Sequence, residues 1–325
     1  MQDIQSDGLP LVSFIVPCYN LPVELIRECL RSIFSLPLSD AEREVIVVDD
    51  GSDTSPIDEI GEINSRCIYM RQPNKGLAAA RNTGLRLASG TYIQFVDGDD
   101  MLLSDAYTWC LDILKKERPD ILLFLSTSEN ADDAKKKKPR APHKVVHTTG
   151  RQYMLDNNMR AAAWGYVFKK TLPGALLFDE NLHVHEDECF TPQLLLRASS
   201  LLSTDVTAYY YRPRAGSLTA TYDRKAINAR LDNIERIITF LHSQSQMMPS
   251  GDRKAMSRRV AQLTMDYLYN IIHLTHDGNE LDQRITRLRQ KGLFPLPDGR
   301  YTLKYTAFRL MISNRLSRRL MLKTL

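Results

Sequence analysis

The sequence predicts an α/β protein: a mostly parallel sheet with helices on both faces, followed by a helical C-terminal region. Three observations lead to this prediction. Short apolar runs alternate with helical patterns over the first 125 residues, acidic turns follow two of those runs, and beyond Thr221 helical spacing alone remains. A chain of 325 residues can bury the core of one large domain, or of a large and a small one. We therefore expect a first domain at 1–221 and a helical region at 222–325.

Predicted strands and helices alternate along the first part of the chain. Apolar residues at every third or fourth position mark the helices, and short runs rich in β-branched residues mark the strands. The strands are predicted at 12–17, 45–48, 67–70, 92–96 and 121–125, and the helices at 22–36, 77–88 and 106–116. Such alternation is typical of parallel sheets, because two parallel neighbours need a crossover connection, which is usually a helix.

Polar side chains follow three of these strands where each strand ends. Pro17-Cys18-Tyr19-Asn20 follows the first strand, Asp49-Asp50-Gly51-Ser52 the second, and Asp97-Gly98-Asp99-Asp100 the fourth. Ligands of open α/β sheets bind beyond the carboxyl ends of the strands, so we expect these residues to meet in one crevice. Asp97 and Asp99 offer the oxygen ligands that a hard divalent cation prefers, and the glycine between them would let a diphosphate approach. Asp-rich turns are also common without a metal.

Four segments of the chain follow the order and spacing of the inverting glycosyltransferase family 2, which the chain resembles: SFIVPCYN, EVIVVDDGS, NKGLAAARNTGL and YIQFVDGDD. The later segments WGYVFKK, FDENLHVHEDECF and YYYRPRAGSLT resemble the bacterial, polysaccharide-building members of that family. The resemblance covers roughly residues 11–220 and leaves out the helical C-terminal region. It implies a GT-A fold and an inverting transfer of one sugar from a nucleotide-sugar, with UDP as the favoured nucleotide, to a glycan or a lipid-linked acceptor.

The resemblance also implies a role for each matching position. Tyr19 would pack on the base and Asp50 would hydrogen-bond to it. Asp99 would bind Mg²⁺ or Mn²⁺, and Asp187 would be the base that takes the proton from the acceptor hydroxyl. The residues implied in binding the nucleotide-sugar are Pro17, Tyr19, Asn20, Asp49, Asp50, Gly76, Arg81 and Asp97. Acceptor contacts are expected at Trp164, His185 and Glu186.

Simpler explanations exist for several of these positions, and the sequence leaves them open. Asp49 or Asp50 could cap a helix, and Asp187 lies where a cap of the next predicted helix would lie. Arg81 could pair with a surface acid. A single tryptophan such as Trp164 is usually part of a core.

Motifs of other functional classes are missing. Neither GxxxxGK[ST] nor a GxGxxG after the first strand occurs, which argues against P-loop ATPases and dinucleotide dehydrogenases. The QxxRW motif of processive polysaccharide synthases and any bilayer-spanning stretch are also missing, which favours the addition of one sugar at a time. Two alternatives remain: a non-catalytic module that binds sugar nucleotides or glycans, and a nucleotidyltransferase, which would release pyrophosphate. No nucleic-acid partner is expected.

Positive charge is concentrated at the C-terminal end. Residues 284–325 contain eleven Lys and Arg and one acid, Asp298, a net charge of +10 against +4 for the whole chain. Phe308, Ile312, Leu316 and Leu320 follow one another there at four-residue steps, so the segment could lie on an anionic membrane or pack against the catalytic domain. The five cysteines form no CxxC pair, and the first ten residues are polar. We therefore expect a cytoplasmic protein, free or peripheral at the inner face of the membrane.

Overall fold

Two compact units make up the chain. The computed structural model describes residues 8–57, 59–129, 143–182, 184–214, 223–299 and 301–324. The first unit comprises Met1–Gly150 and Ala161–Arg214, and the second comprises Arg151–Arg160 and Ala215–Leu325. The first unit contains the sheet, and the second is helical.

One sheet contains all nine strands that the described residues form. The strands are β1 Val12–Cys18, β2 Arg43–Asp49, β3 Ile68–Arg71, β4 Tyr92–Phe95, β5 Met101–Leu102, β6 Ile121–Thr127, β7 Val145–Thr148, β8 Tyr166–Lys169 and β9 Leu201–Tyr210. Their order is β3-β2-β1-β4-β8-β6-β9-β5, and β7 pairs with β9. β1 is parallel to β2 and β4, and β2 is parallel to β3. The carboxyl ends of these four strands therefore lie at one edge of the sheet.

The other half of the sheet is mixed. β8 runs antiparallel between β4 and β6, and β9 is parallel to β6 but antiparallel to β5 and β7. The predicted α/β class and the helical C-terminal region are confirmed, and the sheet is mixed, with parallel pairing among β1 to β4 and between β6 and β9. Sequence patterns missed β5, β7, β8 and β9. The first three are at most four residues long, whereas β9 has ten residues and was missed although its length was sufficient.

The core of the first unit forms around β1, in which every residue is buried. Such an unbroken buried run is typical of a parallel strand that is covered on both faces. Helix α1, Val23–Phe34, buries Ile26, Cys29, Leu30 and Ile33. Helix α2, Leu77–Leu87, packs on β1 and β2, and helix α3, Ser104–Glu117, packs on β9. The next two helices are α4 Gly150–Asp156 and α5 Glu186–Leu195.

Five further helices, all after residue 222, lie within the described residues of the second unit. They are α6 Arg224–Gln246, α7 Ser250–Thr275, α8 Gly278–Gln290, α9 Leu303–Ser313 and α10 Arg315–Thr324. The apolar spacing predicted for α6 is present, since Leu231, Ile234, Ile237, Ile238 and Leu241 are all buried. α7 packs against α6 and α8 and also contacts α9 and α10.

The expected apolar strip of the C-terminal segment is not one continuous face. The helix breaks at Asn314, between α9 and α10. Ile312 before the break is fully buried, whereas Leu316 and Leu320 after it are 74% and 57% exposed. A four-residue step keeps one face only within a single helix, so the break changes which side chains point inward. None of the helices in the described ranges combines the length and apolar character of a membrane span.

Candidate active site

The first two polar turns meet at the carboxyl edge of the sheet. The backbone N–H of Asp50 donates to the carbonyl oxygen of Cys18 at 2.9 Å, which joins the end of β2 to the end of β1. Asn20 extends this link, since its N–H donates to Ser52 Oγ at 2.9 Å and its Oδ1 accepts from the N–H of Asp53 at 2.8 Å. Tyr19, between these contacts, is 47% exposed. Its ring is therefore available to a planar ligand at this edge.

Asp49 and Asp50 shape the turn that follows β2. Asp49 is fully buried, and its carboxylate accepts from the N–H of Ser52 at 2.9 Å and from Tyr69 OH at 2.7 Å. Asp50 is 3% exposed and accepts from the backbone N–H groups of Lys75 at 3.0 Å and Gly76 at 2.7 Å. The contacts of Asp50 fall on the two residues just before α2, whereas those of Asp49 fall within its own turn and on β3.

Gly76 occupies the cap position of α2 with a φ of 93°, a conformation that favours glycine. The Asp50 carboxylate holds this glycine, and Lys75 beside it is exposed. The two bonds from backbone N–H groups to a carboxylate are charge-assisted and therefore strong. Asp50 thus fixes the loop that carries both residues.

The acidic turn after β4 packs closely against the end of β1. A Cβ atom placed on Gly98 would lie 3.0 Å from the carbonyl oxygen of Pro17 and 2.9 Å from a methyl carbon of Leu21. The structure thus gives this glycine a packing reason beyond the room for a diphosphate that the sequence suggested. Pro17 is buried and makes this contact through its backbone.

Asp97 and Asp100 lie in a strongly negative environment. Asp100 is 1% exposed and accepts from Tyr209 OH at 2.7 Å and from the N–H of Arg212 at 2.8 Å. Burial, with the charge of Asp97 as the next cause, raises the pKa of Asp100 to about 8. Burial also raises the pKa of Asp97, where Arg81 acts in the opposite direction and Asp99 in the same one. A bound cation would relieve this repulsion.

Arg81 joins the acidic turn to the start of α5. It is 2% exposed, and it donates to Asp97 Oδ1 at 3.0 Å and to the carboxylate of Glu186. Burial lowers the pKa of Arg81, but the carboxylates of Asp97, Glu186 and Asp187 outweigh burial and raise it. The sequence left open whether Arg81 faces the nucleotide or a surface acid, and the structure gives it two acidic partners, the buried Glu186 and the partly exposed Asp97.

Three acids occupy the first turn of α5, where the helix dipole favours negative charge. Glu186 is 4% exposed and accepts a hydrogen bond from Arg81. Its carboxylate is therefore part of the buried structure around Arg81 and is not available to an acceptor. Asp187 is half-buried and close enough to Arg81 to raise the pKa of that arginine. The cap position belongs to His185, with a φ of 64° and no capping bond from its side chain. Asp187 is therefore not the helix cap.

Trp164 belongs to an aromatic stack beside the acidic turn. Its ring lies parallel to that of Tyr209, with centroids 4.4 Å apart, and 6.0 Å from that of Tyr211. Tyr209 in turn holds Asp100, whereas Tyr211 is 36% exposed. Trp164 is partly buried, so one part of its side chain packs against Tyr209 while the rest remains exposed near the site.

Two arginines that sequence reasoning did not single out also reach the acidic turn. Arg214 Nε donates to Asp99 Oδ2 at 2.5 Å, and Arg212 Nε donates to the carbonyl oxygen of Asp99 at 2.9 Å. Both lie within YYYRPRAGSLT, just after the end of β9. The two arginines of that segment were the available signal, but their partner lies more than a hundred residues earlier in the chain.

The chemistry of these side chains fits a divalent metal that is shared with a substrate. Within the described residues, no group of three or more His, Cys, Asp and Glu side chains could hold a metal ion. Mg²⁺ often binds through one or two carboxylates together with substrate phosphates. Asp99, 20% exposed and next to other carboxylates, fits that pattern, with Asp97 close by.

Comparisons with known proteins identify the same family that the sequence motifs resemble. The profile of Glycosyl transferase family 2 matches residues 13–172. EpsJ of Bacillus subtilis, described as an uncharacterized glycosyltransferase, is 32% identical over 237 residues, which span 69% of this chain and 67% of EpsJ.

Solved structures are similar in fold at low identity. S. aureus TarS superposes with a TM-score of 0.68 at 18% identity, over 96% of this chain and 55% of TarS. A TarS 1–349 structure in complex with UDP-GlcNAc gives a TM-score of 0.57. The mannosyltransferase PcManGT from Pyrobaculum calidifontis, in complex with GDP-Man and Mn²⁺, gives 0.55 at 14% identity, over 98% of this chain and 87% of PcManGT. This level of identity shows the fold alone.

Proposed function

The chain is a glycosyltransferase of family 2, and from this premise we propose that it transfers a single sugar from a UDP-sugar to a glycan or lipid-linked acceptor, with inversion and with a divalent metal. One observation carries the proposal. Arg81 ties Asp97, in the acidic turn, to Glu186, beside the proposed base Asp187. Arg81 thereby links the acidic turn, which is proposed to bind the donor, to the start of α5, which carries the proposed base. TarS with UDP-GlcNAc and PcManGT with Mn²⁺ support the nucleotide-sugar and the metal by analogy of fold.

Donor binding is assigned to the edge formed by β1, β2 and β4. Tyr19 would stack on the base, because its ring is exposed there, while Asn20, Asp49 and Asp50 hold the two turns that flank it. Lys75, exposed beside Gly76, would face the phosphates of the donor. In this assignment Asp49 and Asp50 act by shaping the binding surface.

The transfer step is a single displacement. Asp187 takes the proton from the acceptor hydroxyl, and the acceptor oxygen forms its bond to the anomeric carbon as the bond from that carbon to the diphosphate breaks. Arg81 holds the start of α5, which carries Asp187, next to the acidic turn. A Mg²⁺ or Mn²⁺ ion held by Asp99 would counter the charge that builds on the diphosphate. An α-linked donor would give a β-linked product.

A donor screen tests this function. With Mn²⁺ present and no acceptor, we expect slow hydrolysis of one of three UDP-sugars, UDP-glucose, UDP-GlcNAc or UDP-galactose, with UDP and free sugar as products, and no hydrolysis of GDP-mannose. EDTA should stop the reaction. Chromatography of the products measures it. In a parallel reaction with UTP and a sugar 1-phosphate, release of pyrophosphate would identify a nucleotidyltransferase. Donor binding without turnover, also in the presence of candidate acceptors, would identify a binding module.

We place the enzyme at an anionic membrane surface, through the C-terminal helices α9 and α10. Residues 301–324 contain no acidic residue and six basic ones, Lys304, Arg309, Arg315, Arg318, Arg319 and Lys323. Arg318 is buried and bound to Asp282 at 2.7 Å, so it holds α10 to its own unit. Arg309 is also paired, with Asp298, and the four other basic side chains carry the charge that would complement an anionic lipid surface.

Exposed leucines lie beside this charge. Leu303 is 90% exposed and Leu310 60%, and on α10 the exposed Leu316 and Leu320 lie four residues apart. Arg315, Arg319 and Lys323 form the neighbouring stripe of α10, also at four-residue steps and also exposed. A leucine stripe next to a basic stripe is the pattern of a helix that lies in the membrane interface.

The membrane assignment predicts a vesicle result. The full chain should pellet with phosphatidylglycerol vesicles, less so at high salt, and stay in solution with phosphatidylcholine. The double variant Leu316→Ser, Leu320→Ser should lose most of this binding, because it removes the two exposed leucines of α10. Met247→Ser is the matched control, since Met247 is 72% exposed and lies outside the basic segment. Equal pelleting of the double variant and the control, or no pelleting of the full chain, would overturn the assignment.

A further inference from the structure

Arg214 occupies the carboxylate at which the proposed metal would bind. Its Nε lies 2.5 Å from Asp99 Oδ2, and the side chains are 31% and 20% exposed. A guanidinium and a divalent cation on one carboxylate would repel each other across a few ångströms. The guanidinium of Arg214 therefore supplies a positive charge at the carboxylate where the metal would otherwise supply it.

The backbone before Arg214 is fixed to the same acidic turn. The N–H of Arg212 donates to Asp100, its Nε donates to the carbonyl oxygen of Asp99, and its Nη2 donates to Glu28 at 2.5 Å. Arg214 comes two residues later, and its side chain makes the contact with Asp99. Its guanidinium can thus exchange one acidic partner for another by side-chain rotation while Arg212 stays in place.

We propose that Arg214 and the divalent metal compete for Asp99, and that binding of a nucleoside diphosphate decides the competition. When a diphosphate is bound, Asp99 passes from Arg214 to the metal, and Arg214 turns to the phosphate oxygens, which a guanidinium binds in bidentate fashion. The metal alone then binds weakly, and metal and diphosphate strengthen each other's binding by the same factor, as linkage requires. This inference rests on the proposed use of a nucleotide-sugar and a metal.

Binding measurements without any turnover test the competition. Calorimetry with Mn²⁺ alone, with UDP alone and with both gives the coupling between them. We expect Arg214→Gln to bind Mn²⁺ alone about tenfold more tightly than the wild type, and UDP in saturating Mn²⁺ more weakly, so that the coupling factor falls. Arg214→Lys keeps the charge and should bind Mn²⁺ alone much as the wild type does.

Two controls separate this effect from a general loss of charge or structure. Arg66→Gln removes a comparable arginine–aspartate pair, at 2.7 Å to Asp40 and with Arg66 44% exposed, and should leave Mn²⁺ binding unchanged. In an Asp99→Asn background, Arg214→Gln should no longer tighten Mn²⁺ binding, because the contested carboxylate is gone.

The outcomes distinguish this inference from the proposed function. If the wild type binds Mn²⁺ with UDP but Arg214→Gln leaves Mn²⁺ binding alone unchanged or weaker, the competition is wrong and the metal-dependent transferase stands. If the wild type binds no Mn²⁺ even with UDP, the metal in the proposed function is wrong as well.

Discussion

Asp187→Asn is expected to lower turnover by about a hundredfold or more while affinity for the nucleotide-sugar stays close to that of the wild type. The expected loss is that of a general base, because the amide cannot accept the proton of the acceptor hydroxyl. Asparagine keeps the size and much of the hydrogen bonding of aspartate. The donor side of the site, at the ends of β1, β2 and β4, is unchanged by the substitution. Steady-state kinetics with donor and acceptor, together with calorimetric donor binding, measure the two quantities separately.

The control for this variant is its neighbour in the same helical turn. Glu188→Gln removes one negative charge from the start of α5, as Asp187→Asn does, and Glu188 is partly buried like Asp187. Loss of favourable charge at a helix start costs roughly 0.3–1 kcal/mol of stability in either variant. A hundredfold loss in Asp187→Asn alone therefore reports chemistry. Parallel losses of donor affinity and turnover, or equal losses in both variants, would instead show that Asp187 supports the helix.

The donor half of the fold could be predicted from sequence because its signals are local. Each of β1, β2 and β4 is a mainly apolar run that is followed by polar residues, and parallel pairing brings those ends together. The position of each turn was therefore predictable from a few consecutive residues. The partners within the turns were not. Asp50 binds Lys75 and Gly76, some 25 residues later, so the pattern at Asp50 alone could not show that its carboxylate orders a loop.

The acceptor half of the site could not be predicted in the same way, because it depends on contacts between segments that lie far apart in the sequence. Arg81 and Glu186 are 105 positions apart, and Asp99 and Arg214 are 115 apart. No periodicity encodes such pairs, since each depends on how β8, α5 and β9 are placed after folding. Glu186 shows the consequence: next to the proposed base in sequence, it resembled an acceptor contact, yet its carboxylate is turned inward to Arg81. Adjacent residues at a helix start face different directions, and burial decides which one meets solvent.

Asp99→Ala is expected to reduce transfer by roughly a thousandfold while the fold survives. A divalent metal supplies several kcal/mol of stabilisation to a leaving diphosphate, and each 1.4 kcal/mol corresponds to a factor of ten in rate. Asp99 is partly exposed, as is Asp97, whereas Asp100 is buried and bonded to Tyr209 and Arg212. The alanine therefore removes a ligand without removing those structural bonds.

Loss of rate and loss of metal binding must coincide for the assignment of Asp99 to hold. Mn²⁺ binding in the presence of UDP should fall in Asp99→Ala along with transfer, and the thermal unfolding midpoint should stay near that of the wild type. Asp105→Ala, an exposed acid in the first turn of α3, is the control and should match the wild type in transfer and in Mn²⁺ binding, with a small drop in the thermal unfolding midpoint because charge is lost at a helix start. Near-normal turnover of Asp99→Ala, or activity of the native enzyme in EDTA, would show that the negative charge on the leaving diphosphate is stabilised without a metal at this turn. In that case the cations nearest to Asp99, Arg212 and Arg214, would become the candidates for that task, because their guanidinium groups already lie against the acidic turn.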